Sequence, residues 1–337
     1  MSNAKMQPVL DHIDADFDNS LERLFALLRI KSISADPAFA GDCKAAADHL
    51  AKDIATLGFK AEVRPTAGHP AIVAKANGGA GGRPHVLFYG HYDVQPVDPL
   101  NLWHRPPFEP VVTDHADGRK IIVARGAEDD KGQLMTFIEA CRAWKKVTGS
   151  LPVDVTILIE GEEEVGSKNF VPFMEAIKDE LKADFALVCD TELFAPNLPT
   201  LCVGLRGLVY TEIEAYGAKT DLHSGMYGGA APNPFFALIE IISKLKDAKG
   251  RILIPGFYKN VKAPTAAELK AWKRLPFNEE HYRKTEVGSS KLTGEPGYSV
   301  LYRTWARPTL EVHGMPGGFI ASGAKTRFCS ADVRTVG

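Results

Sequence analysis

The chain has 337 residues, of which 45% are apolar and 24% charged, a composition typical of an ordinary soluble globular protein. Lys and Arg number 40 against 42 Asp and Glu, so the net charge is −2 and nothing suggests a basic patch for nucleic acid. No apolar run reaches the roughly 18 residues that a membrane-spanning helix needs. The sequence therefore predicts about two globular domains, with neither nucleic-acid nor membrane partners.

Cysteine usage and the N-terminus bear on the compartment. The five cysteines are far apart in the sequence and form no C-x-x-C pair, which disfavours both a thiolate metal site and a disulfide framework. The first residues are polar and acidic, unlike a secretory signal. We therefore expect reduced thiols in a cytoplasmic protein.

Up to about residue 190, helical and β-type patterns alternate along the chain. In chain order they are helices 16–30 and 42–57, strands 61–65, 71–76, 85–90 and 121–124, helix 131–147, strand 153–160, helix 167–181, and strand 184–189. Strands that alternate with helices predict an α/β fold, with a sheet covered by helices on both faces.

The pattern changes after about residue 205. Residues 207–216 alternate apolar and polar, as a half-exposed antiparallel strand does, and residues 234–247 predict a helix. A less regular, Pro- and Lys-containing stretch follows at 250–310. We therefore expect a domain boundary near Gly204 to Gly207, with one domain over 5–205 and a second over 206–337.

Acidic and histidine residues gather where four predicted segments end, the position at which open α/β sheets carry their ligand sites. These residues are His91 and Asp93; Asp129 and Asp130; Glu160 and Glu162 to Glu164; and Asp190. Each cluster by itself has a plainer interpretation: a surface H-x-D, a helix N-cap, a solvated acidic face, or a turn. Together they offer one imidazole and several carboxylates, which suits Zn²⁺, Mn²⁺ or Co²⁺ and predicts a two-metal hydrolytic site.

In order and spacing, these segments resemble the M20 family of metallopeptidases and amidohydrolases. The matching stretches are GHYDVQPVDPLNLWHRPPFEP (90–110), ARGAEDDKG (124–132), EGEEEVGS (160–167), VCDTE (188–192) and DLHSGMYGG (221–229). The first and last are most similar to the carnosinase-like dipeptidase branch. The resemblance implies an α/β catalytic domain with a mixed sheet, an inserted α+β lid through which the protein forms a homodimer, and two zinc ions per site.

The resemblance also implies roles for individual residues. His91 and Asp190 match ligands of one metal, Asp129 matches the carboxylate that bridges both metals, and Glu164 matches a ligand of the other. In the same way Asp93 matches the residue that orients His91, and Glu163 matches the general base. A register shifted by one residue would make Glu162 the base instead.

Three residues of the second domain complete this comparison. His223 matches a histidine that reaches the partner subunit's site and stabilises the oxyanion, with a satisfied lid histidine as the alternative. His313 is interpreted as structural or close to the substrate. Arg307 is a weaker candidate for contact with a substrate carboxylate.

The C-terminal segment departs from the family pattern. After Ala324-Lys325-Thr326 the family continues into another lid strand, but this chain reads RFCSADVRTVG. In the family, the chain later returns to the catalytic domain and supplies a last histidine ligand. We therefore expect a truncated lid and a missing protein ligand beside Glu164. Three hypotheses follow: a peptidase for dipeptides or small peptides, a deacylase for N-acyl amino acids, and a metal-binding remnant without turnover.

Overall fold

A computed structural model describes residues 3–76, 82–315, 317, 327–328 and 333–336, which fall into two compact units. The first unit is Met1–Glu192 and the second Leu193–Gly337. The two units therefore divide after Glu192, before the boundary that the sequence places near Gly204 to Gly207. The predicted division into domains at 205 stays a prediction. Cys329 and five other residues after Lys325, at 326, 330–332 and 337, lie outside the described residues.

The first unit contains five α-helices and seven strands in its described part. The helices are α1 Asn3–Ala15, α2 Phe17–Leu28, α3 Ala40–Thr56, α4 Lys131–Thr148 and α5 Phe170–Ile177. The strands are β1 Lys60–Arg64, β2 Ala71–Ala76, β3 His85–His91, β4 Val111–Asp114, β5 Lys120–Val123, β6 Asp154–Glu160 and β7 Phe185–Val188. Among the helices described in either unit, none combines the length and the apolar character that crossing a bilayer demands.

Five of these strands form one mixed sheet in the order β1-β2-β6-β3-β7. Strand β2 is antiparallel to both β1 and β6, whereas β3 runs parallel to both β6 and β7. In the register of β3 with β6, His91 lies opposite Glu160. Because the carboxyl ends of parallel strands meet at one edge, the segments that follow β3, β6 and β7 converge there.

Helices cover both faces of this sheet, as the alternation along β6 shows. Ile157 and Ile159 belong to the larger buried cluster, which also contains apolar residues of α3 and α4 such as Leu50 and Ile138. Leu158 points to the opposite face and packs in a smaller cluster with Phe170 of α5. Successive side chains of a strand face opposite sides, so a continuous apolar run is what a doubly covered strand requires.

The second unit is built from short elements. Its helices are α6 Ser224–Tyr227, α7 Pro234–Ser243, α8 Ala266–Trp272, α9 Glu279–His281 and α10 Val300–Trp305, with a π-helical turn at Tyr282–Val287. Its strands are β8 Glu212–Ala215, β9 Leu222–His223, β10 Arg327–Phe328 and β11 Val333–Val336. They pair antiparallel, β8 with β11 and β9 with β10.

Some element boundaries differ from the predicted ones. The strand expected over 207–216 is limited to β8, because its described partner β11 offers four residues and alternation alone supplies no further pairing. The helix expected over 167–181 begins at Phe170, because Ser167 has a φ of 53°, which lies outside the right-handed helical region. Helix α1 was not predicted.

Candidate metal centre

Three side chains converge at the carboxyl edge of the sheet. His91 ends β3, Asp190 follows β7 by two residues, and Asp129 precedes α4 by two residues. Each offers a ligand atom, and these atoms all lie within 4.8 Å of one another. The Nε2 atom of His91 is 3.1 Å from Oδ1 of Asp129 and 3.9 Å from Oδ2 of Asp190. One imidazole and two carboxylates are a donor set that suits a divalent ion such as Zn²⁺ or Mn²⁺.

The site is buried on one side and open on the other. The His91 side chain is 0% exposed, whereas that of Asp129 is 61% exposed and that of Asp190 is 32% exposed. The imidazole therefore has a fixed position in the core, and both carboxylates remain accessible to an ion or a substrate from solvent.

Asp93 holds the other side of the imidazole. Nδ1 of His91 is 3.1 Å from the backbone oxygen of Asp93 and 3.3 Å from its carboxylate Oδ1. Acceptors on this side favour the tautomer with the proton on Nδ1, which leaves the Nε2 lone pair for a metal. The buried Asp93 carboxylate also accepts the backbone N–H groups of Glu163 at 3.3 Å and Glu164 at 3.1 Å. Asp93 thus links the histidine to the segment that carries the predicted base.

The three consecutive glutamates after β6 point to different partners. Oε2 of Glu163 lies 4.0 Å from Nε2 of His91. Glu162 is buried, and its Oε1 accepts a hydrogen bond from Asn169 at 2.9 Å. Oε2 of Glu164 accepts a hydrogen bond from the Gln95 amide at 2.5 Å. This arrangement favours Glu163 over Glu162 as the base, although the role itself stays a prediction.

The ionisable groups of the site influence one another. Burial acts to lower the pKa of His91, but the hydrogen bond to Asp93 and the charge of Asp93 and nearby carboxylates outweigh it and raise the pKa to about 10. Burial raises the pKa of Glu163, Glu164 and Asp190, and the neighbouring carboxylates raise it further. Negative charge is therefore concentrated at one edge of the sheet, where a bound cation would relieve the repulsion.

The sequence of the chain matches a family of metal-dependent enzymes, in agreement with this donor set. Residues 87–314 match the sequence profile of Peptidase family M20/M25/M40. The chain belongs to this family. The predicted resemblance, the mixed α/β fold and the class of metal-dependent hydrolase are thereby confirmed, and the family implies a divalent metal.

The proteins similar to this chain include dipeptidases. The Cys-Gly metallodipeptidase dug1 of Schizosaccharomyces pombe is 34% identical over 325 residues, which are 93% of this chain and 67% of the relative. The Beta-Ala-His dipeptidase of Homo sapiens is 33% identical over 243 residues, which are 72% of this chain and 47% of the relative. The match to the solved structure of Dug1p from Saccharomyces cerevisiae has a TM-score of 0.81 at 29% identity, covering 98% of this chain and 71% of that one.

Two residues that the M20 resemblance singled out in the second unit have local partners. Nδ1 of His223, at the end of β9, accepts the backbone N–H of Gly225 at 3.0 Å. Its expected role in a partner subunit stays a prediction. Arg307 forms an ion pair with Glu295 at 2.6 Å, and its guanidinium lies 4.5 Å from the ring centroids of Tyr258 and Tyr298. These contacts already engage the guanidinium and disfavour Arg307 as a substrate ligand.

The remaining candidate of that unit, His313, is exposed, and its ring centroid lies 6.3 Å from that of Tyr210. Within the part of the chain that the structure describes, this loose ring contact neither ties the imidazole into a core nor gives it a polar partner. The interpretation of His313 as structural or close to the substrate therefore stays open.

Asp130 contributes to the site in a way that the sequence did not reveal. The sequence allowed this residue to be a helix N-cap, and it does occupy the N-cap position of α4. Its side chain, however, makes no capping hydrogen bond. Instead its buried Oδ2 accepts the backbone N–H of His91 at 3.1 Å. Gly90 leaves room for this contact, since a Cβ there would lie 2.8 Å from the same oxygen. The pair of adjacent acidic residues was the only sign of this role in the sequence. The hydrogen bond to the His91 backbone became evident only from the packing of the folded chain.

The donor geometry predicts unequal affinity for two ions. His91, Asp129 and Asp190 form a three-donor group, whereas Asp129 and Glu164 supply two donors for a second ion and Gln95 already engages Glu164. We therefore expect about one tightly held divalent ion per chain, with a second binding only at high added metal.

Metal analysis after dialysis, followed by calorimetric titration with Zn²⁺, measures both affinities. Two tightly retained ions per chain would contradict this expectation. No retained ion would mean that the three-donor group does not hold a metal in this chain.

Proposed function

We propose that this chain is a zinc-dependent dipeptidase that hydrolyses the amide bond of dipeptides or small peptides, with Mn²⁺ or Co²⁺ as possible substitutes for zinc. The observation that carries the proposal is the group of His91, Asp129 and Asp190 beside Glu163 in a member of the M20 family. Two of the similar proteins described above are named as dipeptidases, for Cys-Gly and for β-Ala-His. Both act on short peptides, which supports this substrate class.

The residues present fit a resident metal. Their donor set is mixed imidazole and carboxylate, and the crowded acidic groups favour a cation. His91, Asp129 and Asp190 would hold one ion. A second ion would be held by Glu164 together with Asp129. A divalent ion held there supplies a water that ionises near neutral pH and a Lewis acid for the amide carbonyl.

The protein's own groups perform the proton transfers in this proposal. Glu163 accepts a proton from the attacking water and then donates it to the leaving amine. Burial raises the pKa of Glu163, and nearby carboxylates add to the increase, which is the direction that suits a base working near neutral pH. Asp93 keeps His91 oriented and holds the backbone of Glu163, so that the base stays beside the donor group. His223 of a second subunit would donate to the developing oxyanion.

Turnover assays test the proposal directly. The chain loaded with Zn²⁺ or Mn²⁺ is expected to cleave Cys-Gly or β-Ala-His and to leave N-acetyl amino acids largely intact. Cleavage of N-acetyl amino acids alone would identify a deacylase. Metal binding without turnover of either substrate class would support the metal-binding remnant.

We further propose that the protein forms a homodimer through the second unit, because the role of His223 needs a second copy. Exposed apolar side chains of that unit include Phe236 and Ile239 on α7, which are 71% and 49% exposed. Such side chains on a soluble protein favour a contact that covers them.

Light scattering at micromolar concentration is expected to give the mass of a dimer, and Phe236→Glu is expected to shift it toward that of a monomer. Phe185→Glu is the matched control, because Phe185 is an exposed phenylalanine of the first unit. A wild-type monomer, or equal effects of both changes, would refute the proposed interface.

For the compartment we propose the cytoplasm. Cys43 and Cys141 are buried free thiols, and burial raises the pKa of each to about 12, which keeps them protonated and unreactive. Cell fractionation with an antibody against the chain tests this placement.

A further inference from the structure

Beyond the metal-binding group, the loop that carries Glu163 is closed by a buried carboxylate. This Glu163 loop, residues 161–167, leaves the end of β6 and includes a short 3-10 helix, Glu163–Val165. Oε1 of Glu160, the last residue of β6, accepts a hydrogen bond from Ser167 Oγ at 3.0 Å and one from Tyr89 Oη at 2.6 Å. Glu160 is 2% exposed, so these contacts lie in the core.

We propose that Glu160 is a positioning residue that closes the Glu163 loop and thereby keeps Glu163 beside the His91 imidazole. The bond to Ser167 joins the residue before the loop to the last residue of the loop. The bond from Tyr89 fixes the Glu160 carboxylate itself. This inference rests on the proposed function for the role of Glu163, and it adds residues whose effect on catalysis is indirect.

The anchoring geometry supports this role. Glu160 lies opposite His91 in the register of β3 with β6, and Tyr89 precedes His91 by two residues, on the same face of β3. The loop is therefore closed against the strand that carries the imidazole. Its middle is held independently by the Asp93 carboxylate, which accepts the N–H groups of Glu163 and Glu164.

The chemistry of Glu160 also indicates more than packing. Both hydroxyl groups donate to one oxygen, while the buried Oε2 has no hydrogen-bond partner among the described residues. Burial of a carboxylate is costly, so a position that only fills space would be served better by an apolar side chain. Loop closure by a strong acceptor gives the carboxylate a reason to be there.

Two variants separate positioning from general stability, because each removes one of the two hydroxyl groups that donate to Oε1 of Glu160. Ser167→Ala removes the donor on the loop, and Tyr89→Phe removes the donor on the strand. Ser167→Gly is a third variant, since glycine readily adopts the φ of 53° at this position and stability is preserved while the hydroxyl is lost. Glu160→Gln retains an oxygen that accepts both hydroxyl groups.

Hydrogen exchange of the peptide that covers residues 161–167 is the first measurement. We expect the fastest exchange in Ser167→Ala and Ser167→Gly, and a smaller increase in Tyr89→Phe, where Glu160 keeps its bond to the loop. Exchange in Glu160→Gln should stay near wild type, because its amide oxygen still accepts both hydroxyl groups. With a dipeptide substrate, the two Ser167 variants are expected to lower kcat by roughly 10- to 100-fold with little change in KM, since a small displacement of a catalytic group has effects of this order.

The two proposals fail differently in this experiment. A wild-type protein that binds zinc but shows no turnover would refute the proposed function, while the exchange data would still test loop closure. Unchanged exchange in both Ser167 variants, or equal effects of Ser167→Ala and Tyr89→Phe on exchange and kcat, would overturn the role of Glu160.

Discussion

Replacement of Glu163 by glutamine is expected to lower kcat by roughly 10²–10⁴-fold, the usual effect of losing a general base. The amide is nearly isosteric with the carboxylate but cannot accept a proton from the attacking water. Because Glu163 lies outside the donor group of His91, Asp129 and Asp190, bound metal should remain unchanged. Steady-state kinetics together with metal analysis of the same preparation measure both effects.

Glu162→Gln is the matched control for this prediction. It makes the same chemical change one residue earlier in the same loop, where Oε1 faces Asn169 rather than His91. We expect it to keep kcat within about tenfold of wild type, since the remaining amide oxygen still accepts the Asn169 hydrogen bond. Full activity of Glu163→Gln, or inactivity confined to Glu162→Gln, would show that Glu163 is not the base.

Replacement of His91 by alanine is expected to remove tight metal binding altogether, and activity with it. The imidazole is the single nitrogen donor of the group and is fully buried, so solvent cannot place a substitute ligand in the same position. Wild-type protein should be stabilised by added Zn²⁺, by about 2.7 kcal/mol when free zinc is 100 times the Kd, because the ion binds the folded state. The variant should show no such stabilisation.

The control for this second prediction lies on the same strand. His85 begins β3, and its Nε2 lies 2.9 Å from Oγ1 of Thr156, at the opposite end of the strand from the donor group. His85→Ala should therefore keep the zinc-dependent rise of the unfolding temperature. Thermal unfolding with and without Zn²⁺ compares both variants. A His91→Ala protein that still retains an ion after dialysis would place the metal elsewhere.

Sequence patterns predicted the central elements of the first unit well. The run DVTILIE is apolar and β-branched over most of its length, and it forms β6 over Asp154–Glu160, close to the predicted 153–160. The helix predicted at 131–147 is α4, Lys131–Thr148, which ends at Gly149 in the left-handed conformation. In both elements the intrinsic secondary-structure preference and the burial pattern favour the same conformation, so contacts with neighbouring elements did not alter it.

The same patterns could not settle how the acidic residues divide their tasks. Three consecutive glutamates are equivalent in a sequence, yet Glu162 faces Asn169, Glu163 faces His91 and Glu164 faces Gln95. The direction of each side chain depends on the path of the 3-10 turn after β6, which contacts distant in sequence hold in place. One of these contacts is the acceptance of two backbone N–H groups by Asp93.

Sequence alone determined the α/β class, the M20 resemblance and the strand ends at which the chemistry gathers, because hydrophobic periodicity and motif spacing are local properties. Only the tertiary structure decided that Asp130 accepts the backbone N–H of His91, and that Glu160 accepts hydrogen bonds from Tyr89 and Ser167. Asp130 and Tyr89 reach their partners from distant parts of the chain. The first pairing exists only once α4 packs against β3, and the second only once β3 and β6 lie side by side, so spacing along the chain does not encode them.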